Sequence, residues 1–102
     1  MAFKSVAGII GFNDTVPRNR GSIPELDCNK ANVAGCYFYY TEQGSLSNSP
    51  SMARFILEVS VTGNRILQTA ISASTSTSNE TGYGKMKTRT YTGSSWTPWI
   101  ER

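Results

Sequence analysis

The residues able to do covalent or acid–base chemistry are few and poorly placed for it. The chain has no histidine, the side chain most often used for proton transfer near neutral pH. Among its carboxylates only Glu25 and Asp27 stand close together. A spacing of two can put two acids on one face of a strand, an arrangement open to a glycosidase pair, but beside Pro24 and at the start of a turn they read as solvated turn residues. Cys28 and Cys36 match no metal-ligand spacing, and without an imidazole neither has the partner that activates a thiol nucleophile. A disulfide between them stays open in an oxidising setting, with two buried thiols the favoured reading. No phosphate-binding glycine loop and no serine nucleophile elbow is present. The expectation is a protein that is not an enzyme and holds neither metal nor cofactor.

Binding chemistry is better supplied. Two Trp, five Tyr and four Phe offer apolar ring faces with polar tips, suited to protein contacts and to stacking on sugar rings. Tyr83, Lys85, Lys87, Arg89 and Tyr91 alternate along one segment and so share a strand face. That cationic row reads as a solvated face or as edge protection, with Tyr83 and Tyr91 its exposed aromatic pair. With Asn48 and Asn79, carried on polar loops, these residues are the candidate ligand contacts. Trp96, Trp99 and Tyr37 are read as structural aromatics. The net charge of +3 comes from scattered cations, unlike the broad basic footprint of a nucleic-acid binder, so no nucleic-acid partner is expected.

The elements that must position these residues are strands. The 102-residue length fits one domain, and a composition rich in aromatics, Gly, Ser, Thr and Asn favours strands joined by turns. The expected fold is all-β, a small antiparallel sheet or sandwich with at most one short helical turn. Phe12 to Leu26 reads as a loop, since turn and breaker residues recur throughout it. Asp27 to Asn32 is the candidate helical turn, with Asp27 or Asn29 as its cap. Cys36 to Thr41 is a strand placing Tyr37 and Tyr39 opposite Phe38 and Tyr40. Phe55, Leu57, Val59 and Val61 alternate with polar residues on the next strand. Gly63-Asn64 reads as a hairpin turn before a returning strand over 65–73, whose inward face the pattern leaves open. A polar loop over 74–82, a strand over 83–92 and a terminal aromatic strand from Trp96 to Ile100 complete the chain. No apolar run approaches the ~20 residues needed to cross a bilayer. The apolar patch within the first eleven residues is broken by Gly8 and Gly11, so it reads as a first strand or entry segment, not as a signal peptide.

The order of several short motifs resembles a known family. Leu26-Asp27-Cys28-Asn29, Gly35-Cys36-Tyr37, Asn48-Ser49-Pro50, Leu57-Glu58-Val59, Gln68, Lys87-Thr88-Arg89-Thr90-Tyr91 and Trp96-Thr97-Pro98-Trp99 follow one another as in the knob domains of phage tail fibres and R-type pyocins. The resemblance covers about residues 26–102, leaving 1–25 as a separate N-terminal segment. Cys28 stands where that family usually carries Leu. The resemblance implies a non-catalytic knob in a virion tail fibre, of phage or prophage, usually a homotrimer, that helps recognise a glycan or protein receptor on a bacterial surface without entering the membrane. A purely structural fibre spacer or protein-interaction module is the alternative, and a polysaccharide-cleaving enzyme using Glu25 and Asp27 a more remote one.

Overall fold

The computed structural model describes residues 18–74 and 85–102. They build one six-stranded sheet whose spatial order follows the chain, β1-β2-β3-β4-β5-β6. The strands are β1 (Asn19–Ser22), β2 (Gly35–Tyr40), β3 (Arg54–Thr62), β4 (Arg65–Ser72), β5 (Met86–Tyr91) and β6 (Ile100–Glu101). The only helical pieces among the described residues are three short 3-10 turns, Pro24–Leu26, Cys28–Lys30 and Thr41–Gln43. The fold is therefore all-β, and it is a single sheet and not a sandwich. One strand departs from the antiparallel expectation: β1 runs parallel to β2, inside a segment whose breaker residues read as loop. Four residues with no apolar alternation left no strand signal there.

The alternating segment at the centre folds as its pattern requires. Phe55, Leu57 and Val59 are buried while Ile56, Glu58 and Ser60 point outward. Gly63 opens the β3–β4 turn at a φ of 60°, left-handed backbone that glycine adopts without a Cβ penalty. The hairpin then zips from Thr62↔Arg65 to Phe55↔Ser72. Fully burying a residue such as Phe55 or Leu57 contributes ~1.5–3 kcal/mol.

Loops, not a second sheet, cover the inner face. Ile23, Cys28, Ala31 and Met52 come from connecting segments and pack with Tyr37, Tyr39, Phe55, Leu57, Val59 and Ala70 of the sheet. Two of these loops are clipped together at Asp27. Its Oδ1 accepts the Asn29 backbone N–H at 3.0 Å and the Asn48 Nδ2–H at 2.8 Å. Backbone bonds from Cys28 N to Ser47 O and from Ser47 N to Leu26 O, 3.0 and 2.9 Å long, run alongside. Asp27 is thus the cap of the 3-10 turn Cys28–Lys30.

The outer face has no cover among the described residues. Pairings Phe38↔Ile56, Ile56↔Ile71 and Ile71↔Met86 line up an apolar row across β2 to β5, and Phe38, Ile56 and Met86 are all exposed. No helix among the described residues is long and apolar enough to cross a membrane.

Candidate functional site

β5 delivers the cationic row to the inner face. Its register pairs Arg89 with Gln68 and Lys87 with Ala70, both buried positions of β4. The expectation of a solvated face is overturned here: Arg89 is only 6% exposed. Strand alternation places the row on one side, as the spacing requires, but the loops that close over that side also close over Arg89.

A buried guanidinium needs partners, because desolvation of a charge is costly. Arg89 Nε donates to Gln68 Oε1 at 2.8 Å. Gln68 Nε2 in turn donates to the backbone carbonyls of Cys28 and Ala31 at 2.7 and 2.9 Å. One side-chain amide therefore ties β4 and β5 to the capping loop. The guanidinium carbon lies 3.9 Å from the Trp96 ring centroid and 4.7 Å from that of Trp99, within the range of cation–π attraction. Burial pulls the Arg89 pKa below its ordinary value, with Cys28 and Asp27 opposing the shift.

The other members of the row are also engaged. Lys87 Nζ donates to Pro50 O at 2.7 Å, and Lys85 Nζ pairs with Glu101 at 2.8 Å. Asn48, besides its bond to Asp27, accepts the Trp99 Nε1–H on its backbone oxygen at 3.0 Å. Tyr37 is buried and donates its hydroxyl to Val33 O at 2.7 Å. Tyr83 and Asn79 lie outside the described residues.

The thiols are not poised for chemistry. Burial pushes the Cys28 thiol up to about 12, and burial followed by the nearby Glu58 raises that of Cys36. Both cysteines are free. Cys28 is fully buried, whereas Cys36 is half-buried toward the outer face, so only one of them is a core thiol. Among the described residues no group of three His, Cys, Asp or Glu could hold a metal ion.

Tyr91, the last member of the row, opens onto a surface depression. Its ring lies 5.3 Å from that of Trp96, tilted by 53°, and the two side chains line an open hollow of about 240 Å³ with Asn29, Asn32 and Ile66. The Oδ1 of Asn29 is buried and has no hydrogen-bond partner among the described residues. A carboxamide that lacks a donor, a second carboxamide and two aromatic rings together offer polar contacts to hydroxyls and ring faces to C–H groups. Asn29 and Asn32 do not emerge from sequence reasoning as ligand contacts, because an Asn near a cap has the same appearance in sequence whether it serves the turn or a ligand. Gln68 shows in the sequence only as one member of an ordered motif set. Comparison with family models, with curated proteins and with solved structures finds no match.

Proposed function

We propose that the chain is a non-catalytic, knob-like module of a phage or prophage tail fibre, and that it takes up saccharide from a bacterial surface in the hollow between Tyr91, Trp96, Asn29 and Asn32. The observation that carries this reading is the unpartnered Asn29 carbonyl beside the Tyr91–Trp96 pair. An unsatisfied buried acceptor costs ~1–3 kcal/mol, and a turn of the amide about its soft terminal torsion presents that oxygen to a sugar hydroxyl. The virion setting draws support from the spatial convergence of the motif residues. Gln68 meets Arg89, Trp96 and Trp99 of the C-terminal segment in one cluster, as expected if they are a family's fold-determining set.

Binding of the full chain to bacterial cells and to purified surface polysaccharide tests this reading. The double substitution Asn29→Ala and Asn32→Ala is expected to weaken binding by about tenfold or more while leaving the thermal midpoint nearly unchanged. The Asn29 backbone N–H that Asp27 holds survives the change. Unaltered binding by this variant would remove the site, and no binding by the intact chain would remove the adhesin role. A second reading, a structural spacer, rests on the commitment of Lys85, Lys87 and Arg89 to bonds within the chain. It requires that a whole fibre carrying the double substitution adhere as well as the unmodified one.

A further inference from the structure

We infer that the outer face of the sheet packs against a second copy of this chain about a two-fold axis through Ile56. The row Phe38, Ile56, Ile71 and Met86 crosses four strands, with Phe38, Ile56 and Met86 exposed by 40%, 43% and 38%. An open apolar depression of about 320 Å³, lined by Asn19, Cys36, Tyr37, Phe38 and Ile56, lies at one end of it. Contiguous apolar surface of this kind marks a contact site.

Charge selects the occupant. On β3, Arg54 and Glu58 stand two residues to either side of Ile56, and all three share the outer face. An axis through Ile56, in the plane between two stacked sheets and perpendicular to the strands, reverses β3 onto its copy. Ile56 then meets Ile56, and each Arg54 faces Glu58 of the other chain, giving two equivalent ion pairs. Such self-complementarity is what an isologous interface demands. Glu58 makes no ion pair among the described residues, while Arg54 holds Glu42 at 2.9 Å through one nitrogen and keeps its other N–H donors for a second carboxylate. Strands of two to nine residues, at ~3.3 Å per residue and ~4.8 Å per strand, outline roughly 550 Å², below the ~800 Å² per partner of a standard interface and in the range of a weaker, reversible one. Two twisted sheets stacked in this way meet near the aligned packing angle.

The pairing does not depend on the saccharide reading, because the hollow at Tyr91 lies toward the opposite face. Sedimentation equilibrium of the full chain across a wide concentration range is expected to show a species of twice 11.2 kDa. Arg54→Glu or Glu58→Arg alone should each weaken it by about tenfold or more, since each leaves like charges facing each other twice. The double substitution Arg54→Glu with Glu58→Arg should restore association to within a few-fold of the original. Ile56→Glu should yield a folded monomer that keeps its saccharide binding per chain. A monomeric intact chain, with the face left to residues 1–17 or to another protein, would overturn the inference. So would the homotrimer that the fibre-knob resemblance implies, which this two-fold pairing replaces, or a double swap no better than the single ones.

Discussion

At Gln68 of β4 and Arg89 of β5 the two faces of the sheet reverse the usual assignment of polar and apolar residues. On β4 Gln68 is completely buried while its neighbour Leu67 is 44% exposed. On β5 Arg89 is buried and Met86 exposed. Strand alternation fixes which residues travel together, since a one-residue shift would exchange the faces. It does not say which set faces the core. Here that choice is made by β3, whose Phe55, Leu57 and Val59 point inward and carry Gln68 and Ala70 to the same side through the β3–β4 register. Gln68 and the Nε of Arg89 are then held by specific bonds, while Arg89 Nη2 has no hydrogen-bond partner among the described residues, and Phe38, Ile56, Leu67 and Met86 stay exposed on the outer face.

The sharpest way to break this contrast is to remove the polar centre of the inner face. Gln68→Leu keeps a similar side-chain volume but leaves Arg89 Nε and the carbonyls of Cys28 and Ala31 without partners. A loss of ~3–5 kcal/mol is expected, read as a fall in the urea midpoint at unchanged slope. Adding Arg89→Met removes the stranded cation, so the double variant should be destabilised by less than the sum of the two single changes. Additive losses would show that Gln68 and Arg89 are not coupled.

Much of the sheet was legible in the sequence because it is built from local pattern. The Phe55 to Val61 alternation, the Gly63-Asn64 turn and the four aromatics after Cys36 each carry a period or a turn residue, and β2, β3 and β4 lie where these place them. β1 was not legible, since Asn19–Ser22 owes its extended form to pairing with β2 and not to its own residues. The site was legible only as a list of residue types. The period of two grouped Lys85, Lys87, Arg89 and Tyr91, but the burial of Arg89 depends on Gln68, twenty-one residues away, and on the capping loop. Long-range closure of that kind leaves no mark in a local window.

The loop clip above the inner face offers a change of intermediate size. The Asn48 side chain, the Asn29 backbone N–H and, at longer range, Lys30 and Arg89 hold the Asp27 carboxyl below its usual pKa, against a smaller opposing effect of burial. A folded pKa below the unfolded one means that the native state gains stability once the carboxylate is ionised. That stability is fully present above the unfolded value of about 3.9 and is lost as pH falls through the folded value. Asp27→Asn should therefore flatten the acid limb of the stability profile below about pH 4, measured as the urea midpoint against pH. An acid limb as steep as that of the original chain would show that Asp27 is not a titrating clip.

The smallest effect belongs to the outer face and completes the contrast. Leu67 pairs with Ser60 and Thr90, two same-face positions along β4 from the Phe38–Met86 row, and nearly half of its surface is open. Leu67→Thr exchanges one β-compatible residue for another and leaves every inner-face contact in place, so chain stability should change by no more than ~0.5 kcal/mol. The measurement belongs at high dilution, where self-association makes no contribution to the midpoint. A loss of the size expected for Gln68→Leu would mean that Leu67 is buried within the single chain, against the alternation that assigns it to the outside. A loss confined to high protein concentration would place Leu67 at the margin of the paired face and extend that contact beyond the row centred on Ile56.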